Sequence, residues 1–106
     1  MTEQIKRALL ERGITRTMAG YDPLLSMVER YVDAPYLYKQ SIKEVAKEMN
    51  ISEHALRQRI RNISLRYERM DPEGYRSVME DGPYRMRLLV RALAKDTERM
   101  LQSEQG

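Results

Sequence analysis

The chain has 106 residues, 42% of them hydrophobic and 33% charged, with a formal net charge of +3 and no cysteine. That length supports one hydrophobic core, and the balance of residues is that of a folded chain rather than a disordered one. Disulfides, thiolate metal sites and cysteine nucleophiles are excluded, no apolar run approaches the ~20 residues of a membrane span, and a reducing, cytoplasmic setting is expected.

The elements read as helices throughout. Thr2 is placed to cap a first helix carrying Ile5, Ala8 and Leu9, and Gly13 suits its C-terminal stop. Residues 1–20 lack the apolar core and small-residue cleavage site of a signal peptide. Asp22-Pro23 is expected to open a second helix, with Asp as cap and Pro in the first turn. Leu24, Leu25, Val28, Tyr31 and Val32 form its apolar stripe. Asp33-Ala34-Pro35 breaks it, and Ser41 is expected to open a short third helix with Ile42, Val45, Ala46 and Met49 on one face.

Ser52 caps a fourth helix, in which Leu56, Ile60, Ile63 and Tyr67 recur at steps of four, three and four. Asp71-Pro72 stops it and caps a short fifth helix through Met79. After the Asp81-Gly82-Pro83 turn, a sixth helix is expected from Tyr84 to about Leu101, with Leu88, Leu89, Ala92, Leu93 and Met100 inward. The expectation is an all-α domain over residues 1–101, about six helices around a central helix-turn-helix, with a frayed tail at 102–106.

Charge is distributed unevenly along this scheme. Between Lys39 and Met70 there are eight Lys or Arg against four Glu, a net of +4 that leaves the rest of the chain at −1. A basic stripe on one helix is the electrostatic footprint expected for phosphate contact, although a charge run is also the ordinary composition of a solvated helical face.

The stretch from Ile42 to Asn62 narrows the choice. A helix-turn-helix needs two helices at a steep angle joined by a tight turn. Ala46 is small where the first helix passes the second, Val45 and Met49 bury its inner face, and Asn50 suits a left-handed turn position. Ile51 plugs the turn into the core, Ser52 caps the second helix, and Leu56 and Ile60 bury it. The outer face is then left with His54, Arg57, Gln58 and Arg61 as candidate base contacts. Arg and Gln are the side chains that pair bidentately with guanine and adenine in a major groove. Lys39, Lys43, Ser52, Arg59, Asn62 and Arg66 are the candidate phosphate contacts. The competing reading of the same pattern is a structural helical corner.

From about Ile5 to Tyr67 the chain resembles the C-terminal effector domain of the stage-zero sporulation master regulator, a response regulator of spore-forming bacteria. The resemblance is carried by Leu10, Gly13-Ile14, Gly20-Tyr21, Leu24-Leu25, Ala46-Lys47, Asn50 and Ile60-Arg61. It implies a six-helix effector domain that binds short promoter boxes, often in tandem, and contacts RNA polymerase. Three departures limit it. The sequence contains no receiver domain with its phosphorylated aspartate. Arg57-Gln58 stands where the family tends to carry Glu-Arg, followed by Arg59 instead of Ala, so base preference should differ. The segment after Met70 does not match, so activation and dimer contacts do not carry over.

Catalytic constellations are not apparent. His54 is the only histidine, with no second ligand at metal-binding spacing. No carboxylate pair stands out, no Gly-rich phosphate loop exists, and Ser26, Ser41, Ser52, Ser64 and Ser77 carry no nucleophile signature. Neither enzymatic activity nor a cofactor is expected. The expected partner is double-stranded DNA. The alternative is a helix-turn-helix that binds another regulator or RNA polymerase, and the C-terminal helix, with Arg85, Arg87, Arg91, Lys95, Asp96, Glu98 and Arg99, offers a homodimer seam or partner surface.

Overall fold

A computed structural model describes residues 1–105. Six α-helices and a 3-10 turn form it: α1 (Thr2–Glu11), α2 (Tyr21–Asp33), the turn Pro35–Leu37, α3 (Tyr38–Glu48), α4 (Glu53–Met70), α5 (Pro72–Val78) and α6 (Met86–Gln105). There is no strand among the described residues, and no helix is long and apolar enough to cross a membrane.

α2 is the central helix. It packs on α1 and α6 to one side and on α3 and α4 to the other, while α5 leans on α4. The reason lies in the spacing of its apolar residues: Leu24, Met27 and Val28 are fully buried, and Leu25, Tyr31 and Val32 widen the stripe, so two sides of the helix can be covered. Ile5, Leu9, Ile42, Leu56, Ile60, Leu89 and Leu93 meet this helix or each other with no solvent exposure to speak of, each contributing about 1.5–3 kcal/mol through burial. Met27 and Met79 fill positions that the absence of Phe and Trp leaves to flexible side chains.

α1 and α3 stop by the same device. Gly13 (φ 76°) and Asn50 (φ 56°) take the left-handed conformation just past the helix end. Ile14 N–H then bonds to Leu9 C=O at 2.9 Å, and Ile51 N–H to Ala46 C=O at 3.0 Å, satisfying carbonyls that would otherwise be orphaned. In each case the residue after the left-handed position is an Ile that turns inward.

Several boundaries differ from expectation. α2 begins at Tyr21 with Gly20 as its cap residue, so Asp22 lies inside the first turn and is not the cap. The local Asp-Pro signal is overridden by packing. Tyr21 is buried, and Gly20 lies so close to α4 that a Cβ there would stand 2.6 Å from the Arg59 carbonyl oxygen. α3 begins at Tyr38, wound directly from the 3-10 turn that Pro35 opens, and Ser41 is a buried residue within it. α6 begins at Met86 and continues through Gln105, so residues 102–105 are helical and not a frayed tail. Gln4 donates to Glu104 at 2.6 Å and Arg7 pairs with Glu104 at 3.2 Å, which gives the last turn a partner. Gly106 lies outside the described residues.

A buried polar knot joins three helices. Arg12, just past α1, donates to Asp96 of α6 at 2.8 Å and to the Tyr67 hydroxyl of α4 at 2.7 Å. Burial works against the Arg12 charge, but the Asp96 carboxylate and Tyr67 more than offset it and hold the guanidinium pKa above its ordinary value. Asp96 was expected on an exposed partner surface. Its side chain is only 8% exposed, and Arg91 from the same expected surface is paired with Glu80.

Candidate nucleic-acid interface

α3 and α4 are joined by the short turn at 49–52. Ser52 takes an extended conformation and its Oγ accepts from Ala55 N–H at 3.0 Å. This cap uses an oxygen lone pair, and the hydroxyl proton remains able to donate to a phosphate. α4 then runs for 18 residues, about 27 Å at 1.5 Å per residue. Leu56, Ile60, Ile63, Ser64 and Tyr67 face inward, as the spacing requires.

His54, Arg57, Gln58 and Arg61 are all exposed on α4. They do not form a single row. At 100° per residue Arg57 and Arg61 are about 40° apart on one flank, and Gln58 lies about 60° round from Arg61 on the crest opposite the core. Arg59, Asn62 and Arg66 occupy the other flank. There they line an open cleft of about 270 Å³ with Thr17, Met18, Ala19, Gly20 and Ile63. The candidate base contacts and most of the candidate phosphate contacts on this helix are thus separated around its circumference. A helix lying in a groove needs that order, with its crest toward base edges and its flanks toward the two backbones.

α3 segregates its charges lengthwise. Lys39, Lys43 and Lys47 follow one another at steps of four and are exposed. Glu44 and Glu48 occupy a different stripe, where both pair with Arg30 of α2. The helix therefore turns these two carboxylates toward Arg30 of α2 and its lysines toward solvent. None of the eight basic residues from Lys39 to Met70 joins an ion pair among the described residues, whereas Lys6, Arg7, Arg12, Arg30, Arg91 and Arg99 all do.

The structure adds residues that the sequence left unassigned. Lys47 extends the lysine stripe. Arg87, expected on a dimer or partner surface, lies over the Tyr38 ring with its Cζ 5.3 Å from the centroid. That places it at the start of α3, beside the cleft lined by Tyr36, Leu37, Lys39 and Gln40. Tyr36 is 81% exposed there. Arg61 lies over Tyr84 at 5.1 Å. Burial pushes the Tyr38 hydroxyl up to about 12, against the opposing pull of Arg57 and Arg87. Burial also raises the Tyr84 pKa, opposed by Ser64, Arg61 and Arg57. Arginines from α4 and α6 thus converge on two tyrosines that remain neutral over the physiological range.

A group of three or more metal-ligating side chains does not occur among the described residues. The cleft of about 320 Å³ is lined by Arg12, Glu80, Arg91, Asp96 and Arg99, which are engaged in ion pairs, and by Lys95, which is not. No protein-family model, curated protein or solved structure matches the chain.

Proposed function

We propose that the protein is a sequence-specific, double-stranded DNA-binding transcription regulator, in which α3 and α4 act as a helix-turn-helix and α4 enters the major groove. One observation carries this reading. Every Lys and Arg from Lys39 to Met70 is left without a carboxylate partner among the described residues, while the glutamates of α3 are bound by Arg30. Such a surface keeps a local positive potential, which attracts a polyanion. Arg57, Gln58 and Arg61 supply the base-reading chemistry, with His54 beside them. Lys39, Lys43, Ser52, Arg59, Asn62 and Arg66 supply phosphate contacts, joined by Lys47 and Arg87.

The resemblance to the sporulation effector domain extends the proposal to short promoter boxes, to RNA polymerase as a second partner and to a bacterial cytoplasm. A second reading rests on Leu65, which is 43% exposed and lies within about 20° of Gln58 on the crest of α4. An exposed Leu on that face suits a protein partner, so the alternative is a helix-turn-helix that docks on another regulator or on RNA polymerase.

Selection from a random duplex library, followed by footprinting of the winning site, tests the proposal. Neutralising four to six phosphates gives a log–log salt slope of roughly −4 to −5, at about −0.9 per phosphate. At one fixed salt concentration, Arg61→Ala should lower the specific-to-nonspecific affinity ratio by roughly tenfold, through the loss of a bidentate base contact. Lys43→Ala should lower both affinities together. Equal changes in that ratio for the two variants would favour the protein-docking alternative.

A further inference from the structure

We propose that Tyr84 is a positioning residue that presets Arg61 for base reading, so that sequence preference depends on a side chain outside the helix pair; this inference rests on the DNA-binding reading. The Arg61 guanidinium lies over the Tyr84 ring at 5.1 Å from Cζ to centroid. Arg57, Arg61 and Ser64 follow at steps of four and three along one stripe of α4, and Tyr84 stacks on the middle one, Arg61. The Tyr84 hydroxyl and Ser64 Oγ are both buried, and neither has a hydrogen-bond partner among the described residues. The ring is held by packing against the core, while its face is given to the arginine.

The segment that delivers Tyr84 is itself constrained. α5 ends with Glu80 and Asp81 both in the left-handed region, at φ 54° and 61°. Two successive residues other than glycine in that region define a sharply set turn. Asp81 N–H bonds to Arg76 C=O at 2.9 Å, Gly82 N–H to Met79 C=O at 2.9 Å, and the Glu80 carboxylate pairs with Arg91 of α6. The Arg85 N–H donates to the Met79 Sδ at 3.3 Å. The turn thus holds Tyr84 against α4, with the ring partly buried and packed against the edge of the core cluster.

The chemistry of arginine makes this contact useful. A guanidinium offers its flat face to an aromatic ring and its edge, with five N–H donors, to a planar acceptor pair. Stacking on Tyr84 occupies the face and leaves the edge open for guanine O6 and N7. An exposed arginine otherwise samples many rotamers and must order on binding. An arginine already held on a platform loses less freedom at that step, and the gain falls on the specific complex, where the edge is used. Contacts to phosphate tolerate a mobile cation and gain less.

The test compares Tyr84→Leu with Tyr84→Phe in the full chain. In the free protein, the Arg61 Nε–Hε resonance should carry a ring-current shift that Tyr84→Phe keeps and Tyr84→Leu abolishes. On the selected duplex, Tyr84→Leu should lower the specific-to-nonspecific ratio by about two- to fivefold, the range of a surface cation–π contact, while Tyr84→Phe stays within about twofold of wild type. Nonspecific affinity should be unchanged in both. A purely structural role would lower the melting temperature of Tyr84→Leu without moving the ratio well below it. A wild-type protein that enriches no duplex overturns the DNA reading and this inference with it. A wild-type protein that selects a site which Tyr84→Leu discriminates equally well overturns this inference alone, as does an Arg61 resonance indifferent to Tyr84→Leu.

Discussion

In α1 and α2 every Lys and Arg sits in an ion pair: Lys6 with Glu3, Arg7 with Glu104, and Arg30 with both Glu44 and Glu48. Along α3 and α4 none of the eight does, among the described residues. Exposed ion pairs contribute only about 0–1 kcal/mol each, so the difference says little about how firmly either region is folded. It says where the potential points. Carboxylates from α3 and α6 pair with the cations of α1 and α2, and the cations of α3 and α4 are left facing solvent. Cations paired within the fold and cations left to solvent are thereby placed on separate helices.

The sharpest way to break that separation is to remove a carboxylate from the framework. Asp96→Ala strips Arg12 of its partner in a site where the Asp96 side chain is only 8% exposed. The expected loss is about 3 kcal/mol, read from urea unfolding, because an unpaired guanidinium is left partly buried. A loss no larger than that of a surface pair would mean that the knot between α1, α4 and α6 does not hold.

Ala46→Leu strikes the other region through packing. Ala46 is 3% exposed and its carbonyl accepts from Ile51 N–H, so added methyl groups press on α3 just where it turns toward α4. About 2 kcal/mol of destabilisation is expected by calorimetry, as for overpacking in a tight core.

Alkaline titration should give a smaller effect. The Tyr38 pKa is raised from 10.0 to about 12 by burial, which disfavours the phenolate. A group whose pKa is raised on folding stabilises fully below its unfolded value, and that contribution is lost as pH climbs through the folded one. Stability held by neutral Tyr38, with Tyr75 and Tyr84 shifted in the same direction, should therefore be constant below pH 10 and fall toward pH 12. Denaturant midpoints across that window check it. A protein equally stable at both ends would remove these tyrosines from the account of how α3, α4 and α6 are held together.

The smallest effect on folding should come from Lys39→Gln combined with Lys43→Gln. Both side chains are exposed and neither is ion-paired, so stability should stay within about 0.5 kcal/mol. The salt slope of duplex binding should nonetheless become shallower by roughly 2. Loss of stability without a change in slope would reverse the assignment of these charges.

The parts of this arrangement that were legible in the sequence are those set by neighbours in the chain. The α4 stripe from Leu56 to Tyr67, the Ser52 cap, the left-handed Asn50 and the Asp71 cap of α5, whose Oδ1 accepts from Gly74 N–H at 3.1 Å, all follow from spacing and turn chemistry. The outward placement of His54, Arg57, Gln58 and Arg61 follows from the same periodicity. What the sequence concealed depends on partners far along the chain. Asp96 looks like one more charge on an amphipathic helix until Arg12 approaches from 84 residues away. The start of α2 looks like Asp22 until the Arg59 carbonyl excludes any side chain at position 20. Neither stack could be read from spacing, because Arg61 and Tyr84, like Tyr38 and Arg87, are separated by an intervening helix or more.

The contact of Glu104 with Gln4 and Arg7 has a consequence for how the chain reaches this state. α1 and α6 pack together although nearly the whole chain separates them. Closing so long a loop is entropically expensive, although the expense grows only logarithmically with length. The α2–α3–α4 unit, linked by short connections, is expected to assemble first, with α1 and α6 closing over α2 afterwards. A circular permutant makes the same point in reverse: joined from Gln105 to Met1 by a short flexible linker and opened at Gly82, it would turn the most distant pairing in the fold into a local hairpin of helices.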